Sequence, residues 1–105
     1  MLILRKTHHL KILPEYFNAV ISGAKRFELR LNDRDYQVGE YLMLREWYKG
    51  QYTGNRAKVR IEYVLQNVPG LRDNYCILSI GPVLAGYDIS HEIFDEAALG
   101  GDGDG

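Results

Sequence analysis

Between Thr7 and Ile80 the chain reads as short runs of alternating apolar and polar residues, separated by clusters of turn formers. Thr7 to Leu13 predicts a first strand, with His8, Leu10 and Ile12 on its buried face and His9 and Lys11 on the other, His9 in solvent. Pro14 suits the first turn of a helix, where its missing N–H costs nothing, and Glu15 follows at the positive end of the dipole. Leu13, Phe17, Val20 and Ile21 form the stripe of a short helix packed on a sheet, and Ser22-Gly23 ends it. From Phe27 to Leu31 the order is apolar, charged, apolar, charged, apolar. That period predicts a half-buried strand with Phe27, Leu29 and Leu31 inward, and Glu28 and Arg30 outward beside Arg26 and Asn32.

Further along, Asn32 to Gly39 predicts a structured loop, Tyr41 to Tyr48 a strand covered in part on both faces, and Tyr48 to Arg56 a mobile loop. Ala57 to Gln66 predicts a strand with Val59, Ile61, Tyr63 and Leu65 inward, and Asn67 to Asn74 a turn around Pro69-Gly70. Tyr75 to Ile80 predicts a last strand that buries Cys76, Leu78 and Ile80. Beyond Pro82 the pattern fades to a helical turn or two within Ile89 to Leu99, then a glycine- and aspartate-rich end. Five strands and one short helix after the first strand predict an α+β, mostly β protein, a small mixed or antiparallel β-barrel. Its expected core is Leu10, Ile12, Phe17, Val20, Phe27, Leu29, Val59, Ile61, Leu78 and Ile80.

Composition adds two constraints. The 105 residues suffice for one domain with a modest core, and the net charge of −1 hides an asymmetry. Residues 1–86 hold all 13 basic and 8 of the 14 acidic side chains, a formal +5, while residues 87–105 hold six acids and no base. A basic domain over 1–86 and an acidic tail over 87–105 are the expected organisation, and the basic body suits a nucleic-acid partner. The single cysteine cannot form an internal disulfide, and no Cys/His set has metal-ligand spacing, so no metal or cofactor is expected. A reducing, cytoplasmic setting is the simplest reading, with no membrane partner.

The densest chemistry lies in Gly23-x-Lys25-x-x-Glu28-x-Arg30. Lys25 has the wrong parity for the face of Glu28 and Arg30 in a regular strand, but a turn or bulge after Gly23 would re-aim it. A lysine beside a carboxylate and an arginine can orient a phosphate or a base edge, the arginine through a planar fork that lysine lacks. This pattern resembles the signature of the ASCH family, a branch of the PUA-like β-barrels. Its continuation, Asn32-Asp-Arg-Asp-Tyr36 and then Val38-Gly39-Glu40-Tyr41-Leu42, looks like the ASCH-like subgroup DUF3850. The resemblance spans His8 to Gly81.

The resemblance implies RNA binding, or binding of a nucleotide or nucleoside, with Lys25, Glu28 and Arg30 lining a pocket and Asn32, Arg34 and Tyr36 on its rim. It implies as an alternative a small amidohydrolase on acylated cytidine nucleosides, with Lys25 as base or nucleophile and Glu28 as acid/base. Such members usually carry threonine where Glu28 stands, and their further carboxylate has no matched position; Glu46 and Glu62 are candidates by type alone. Tyr48 and Tyr52, with Trp47, Arg45, Lys49 and Arg56 nearby, interleave rings and cations as single-stranded nucleic acid requires. A module whose basic face meets an acidic protein is a third class.

Overall fold

The computed structural model describes residues 5–84. The expected acidic tail, 87–105, and the helical turn within it lie outside the described residues. Five strands and one helix follow in the order β1 (Thr7–Ile12), α1 (Pro14–Ser22), β2 (Phe27–Leu31), β3 (Tyr41–Tyr48), β4 (Gln51–Gln66) and β5 (Tyr75–Ile80). The fold is α+β and mostly β, one mixed sheet ordered β1-β3-β4-β5-β2. β1 runs parallel to β3; the other three pairs are antiparallel.

β4 is long enough to serve two neighbours. Its first half pairs with β3 and its second half with β5. The expected loop from Tyr48 to Arg56 is instead a hairpin, with β4 starting at Gln51. Lys49 and Gly50 both take positive φ, 50° and 83°, the backbone of the tight two-residue turns that match strand twist. The register against β3 breaks between Arg45 and Trp47, and the register against β5 shifts between Ile61 and Tyr63. One extra residue inverts the parity of everything after it, so Val64 packs against the core and Tyr63 is exposed, against the expected inward Tyr63 and Leu65.

Helix α1 is short because its ends are fixed locally. Pro14 occupies the first turn, and the Phe17 amide donates to the Leu13 carbonyl at 2.9 Å. Gly23, at φ 83°, closes the helix by donating to the Val20 carbonyl at 3.0 Å. Phe17 and Val20 are buried, whereas Leu13 and Ile21 from the expected stripe are exposed. A nine-residue helix here presents one narrow seam to the sheet.

The core holds Leu10, Ile12, Leu42, Leu44, Val59, Ile61, Cys76, Leu78 and Ile80, closed by Phe17, Val20, Tyr36 and Ala57. Phe27 and Leu29 do not join it. Strand β2 keeps the predicted alternation but turns the other way: Phe27, Leu29 and Leu31 are 47%, 48% and 42% exposed, whereas Glu28 and Arg30 are at 0% and 1%. Alternation fixes which residues share a face, and pairing decides which face is inside. Against β5, Glu28 is opposite Leu78 and Arg30 opposite Cys76, both core positions. The outward set is partly self-covered, because Leu29 lies across from Ile77, which lies across from Leu65.

His9 is a further correction, buried rather than exposed. His8, His9 and Leu10 are all buried, as are their partners Leu42, Met43 and Leu44, so this stretch of the β1–β3 pair is covered on both faces.

No backbone ladder joins the outer strands β1 and β2. Two guanidinium groups cross that seam instead. Arg30 Nη2 donates to the Lys11 carbonyl at 2.6 Å, and Arg34 Nη1 donates to the His9 carbonyl at 2.8 Å. The carbonyls they take are acceptors of an outer strand that the parallel β1–β3 ladder leaves over.

Candidate functional site

Lys25, Glu28 and Arg30 meet in one ion triad. Lys25 Nζ donates to Glu28 Oε1 at 2.6 Å, and Arg30 Nε donates to Glu28 Oε2 at a longer 3.4 Å. Neither Glu28 nor Arg30 exposes its side chain, and Lys25 exposes 11% of its own. Lys25 reaches the inner face from the turn, where its amide donates to the Ala19 carbonyl at 3.0 Å. The strand parity that excluded it therefore does not apply.

Two aromatic rings flank the ammonium: Tyr16 with its centroid 5.5 Å from Nζ, and Phe27 at 5.1 Å. Both rings are exposed in part. The triad thus lies beneath a rim of rings, with the lysine as its outermost charge. Sequence reasoning missed Tyr16; its place is fixed by the first turn of α1, and no local motif announces it.

The other expected rim residues take structural posts. Asn32 Nδ2 donates to Gln66 Oε1 at 2.6 Å and its amide to the Asn74 carbonyl at 2.7 Å, which ties β2 to the far ends of β4 and β5. Arg34 spans the β1–β2 seam. Tyr36 is buried, its ring edge-on to His8 with centroids 4.8 Å apart. His8 Nε2 in turn contacts Glu40 Oε1 at 2.8 Å, the oxygen that also accepts from the Gln37 amide at 2.9 Å. These contacts hold the loop between β2 and β3.

Tyr48 and Tyr52 belong to a separate group at the β3–β4 hairpin. The Tyr52 ring meets Trp47 edge-on at 4.8 Å and carries the Arg45 guanidinium 3.9 Å above it, while Lys11 Nζ lies 4.2 Å from the Trp47 ring. Tyr48 is half exposed beside Lys49. A cavity next to this group is lined by Arg45, Tyr52, Gly54, Asn55 and Arg56.

Glu46 is the second buried carboxylate among the described residues. Its Oε1 accepts from Thr53 Oγ1 at 2.7 Å and from Asn55 Nδ2 at 3.1 Å. A loop reading of residues 48–56 concealed this: β4 begins at Gln51, and its register against β3 breaks between Arg45 and Trp47, leaving residues 53–55 opposite Glu46. Among the described residues, no group of three or more His, Cys, Asp or Glu side chains could hold a metal ion, and no helix is long and apolar enough to cross a membrane. Cys76 is buried, and desolvation first, then the charge of Asp33, pushes its thiol up to about 11, with Arg30 acting the other way.

Comparison with known proteins places these elements together in one sequence family. Over 71 residues the chain is 38% identical to an uncharacterized 12.9 kDa protein in the GpA 3' region of Escherichia phage P2, covering 68% of this chain and 65% of that protein's length. The model of the domain of unknown function DUF3850 matches residues 7–80, which include all five strands, the helix, the triad and Glu46. The chain belongs to the DUF3850 family.

Proposed function

We propose that this domain binds RNA or a free nucleotide, with Lys25, Glu28 and Arg30 as the polar floor of the pocket and Tyr16 and Phe27 as its walls. One observation carries the reading: strand β2 puts its charges inside and its apolar residues outside. Burying an ion triad costs desolvation that well-packed apolar side chains would avoid, and such local violations cluster where function demands them. Lys25, the outermost charge of the triad, presents an ammonium toward the mouth for a phosphate or a base edge, and half-exposed rings offer a stacking surface. The Gly23-x-Lys25-x-x-Glu28-x-Arg30 pattern, which resembles the ASCH signature within the PUA-like barrels, points to the same class of ligand, as does the formal +5 of residues 1–86.

The geometry favours binding over hydrolysis. An ammonium that donates to Glu28 at 2.6 Å is a hydrogen-bond donor, whereas attack or proton abstraction by Lys25 needs a free lone pair on Nζ. The test is fluorescence anisotropy of a labelled single-stranded RNA against the wild type and Lys25→Ala, repeated across salt concentrations. Binding that weakens with salt and falls about tenfold or more in Lys25→Ala is expected, from loss of a charge-assisted contact. Equal affinity for both proteins, or no binding at low salt, overturns the reading. Release of free nucleoside from an acylated cytidine by the wild type, abolished in Lys25→Ala, would establish the hydrolase instead.

A further inference from the structure

Glu46 has a feature that the fold does not use. It is 7% exposed, yet only one of its two carboxylate oxygens is engaged by the described residues. Oε1 takes both donors, Thr53 Oγ1 and Asn55 Nδ2, while Oε2 accepts no hydrogen bond among the described residues. The hydroxyl proton of Thr53 is directed as well, because the Asn55 amide donates to the same Oγ1 at 3.2 Å. A nearly buried carboxylate oriented by two donors on one oxygen holds the other in a fixed direction as an acceptor.

The ladder brings this acceptor toward the triad across strand β1. Glu46 pairs with Ile12 and shares the inner face with Leu42 and Leu44, the face on which Glu28 and Arg30 lie from the other side. Arg30 Nη2 contacts the carbonyl of Lys11, the residue before Ile12. With strands about 4.8 Å apart, that contact sets the guanidinium within roughly 10 Å of the Glu46 backbone. Tyr16, in the first turn of α1 just after β1 ends at Ile12, approaches Lys25 Nζ to 5.5 Å. Thr53 and Asn55 are exposed, so the cluster opens to solvent.

We infer that Glu46 is the specificity-determining residue of this pocket, its Oε2 accepting a hydrogen bond from the exocyclic amino group of a nucleobase. Carboxylates read amino-bearing base edges and repel keto oxygens, which offer only lone pairs. The inference rests on the nucleotide-binding reading above. It makes a sharp demand of one substitution. In Glu46→Gln the amide oxygen must take the Oε1 position, because two donors already point there, and the amide NH2 then stands where Oε2 stood. An acceptor becomes a donor with no change of shape.

The experiment is titration calorimetry of the full chain with CMP against UMP and AMP against IMP, pairs that exchange an amino for a keto group. Wild type is expected to favour the amino member of each pair by about tenfold or more, the usual scale of a hydrogen bond to a charged group. Glu46→Gln is expected to reverse the order within each pair. Thr53→Val, which frees the carboxylate to turn, is expected to flatten the preference, and it carries the test if Glu46→Gln does not fold. Binding of all four ligands with the same ratios in wild type and Glu46→Gln, or in wild type and Thr53→Val, overturns the role of Glu46 and leaves the pocket standing. Failure of wild type to bind any of the four overturns both.

Discussion

Glu28→Gln tests the triad as a thermodynamic object. The substitution keeps shape and one acceptor but removes the negative charge between two cations. Lys25, with 11% of its side chain exposed, can swing toward water and recover most of its solvation. Arg30 cannot, because its side chain is fully buried and its Nη2 is held on the Lys11 carbonyl at 2.6 Å. The loss therefore falls mainly on an interior arginine deprived of the Glu28 charge. Breaking a buried pair from one side costs about 3–5 kcal/mol, and the escape of Lys25 and the retained amide acceptor reduce this to about 2–4 kcal/mol. Domains of this size have roughly 5–10 kcal/mol in all, so the variant stays folded but marginal. Urea unfolding followed by Trp47 fluorescence and circular dichroism measures it, and with a slope of about 1 kcal/mol per molar the midpoint falls by 2 M or more. The loss persists in 0.5 M salt, because screening acts weakly on buried charges. A loss below about 0.5 kcal/mol, or one that salt abolishes, would place Glu28 in solvent and refute the buried triad.

Other outcomes follow from the same structure. Arg34→Ala removes one of the two guanidinium contacts across the β1–β2 seam and should cost about 1.5–3 kcal/mol, with faster hydrogen exchange in β1; unchanged exchange would mean the seam is closed otherwise. Leu29→Asn should cost under about 1 kcal/mol because the side chain is half in solvent, whereas Leu78→Asn, on the core side of the paired strand, should cost more than about 3 kcal/mol. Similar melting temperatures for the two would contradict the register of β2. Cys76, its thiol pushed up to about 11, should resist a thiol reagent at pH 8 in the native state and react once urea unfolds the chain; rapid native labelling would show the site open.

Much of this fold is legible in local sequence. Pro14 and Gly23 mark the ends of α1, and the alternation of Tyr75 to Ile80 gives both the bounds and the buried side of β5. The face of β2 is not legible, because alternation is equally consistent with either side. The side was set by two distant facts, the pairing of Arg30 with Cys76 and the reach of its guanidinium to Lys11. Turn formers misled in the opposite sense at Gly50, Gly54 and Asn55, which suggest a loop although the chain reverses at Lys49-Gly50 and then continues as β4 through a register break at Gly54. The bulge after Ile61 left no mark in composition, yet it reversed Tyr63. At the candidate site, the spacing of Lys25, Glu28 and Arg30 places the three in contact, whereas Tyr16 reaches Lys25 only through the helix, and Glu46, Thr53 and Asn55 meet one another only through the hairpin.

The most direct test of nucleotide recognition at this triad is to see where a ligand touches the protein. Backbone and arginine side-chain resonances in nitrogen-15-labelled protein should be followed by NMR during titration with CMP. The account predicts saturable shifts at Tyr16, Lys25, Phe27, Glu28 and the Arg30 Nε–H, with Glu46 among them, while Phe17, Leu78 and Ile80 stay in place. Shifts confined to the Tyr48–Tyr52 hairpin, or none up to millimolar ligand, would contradict it.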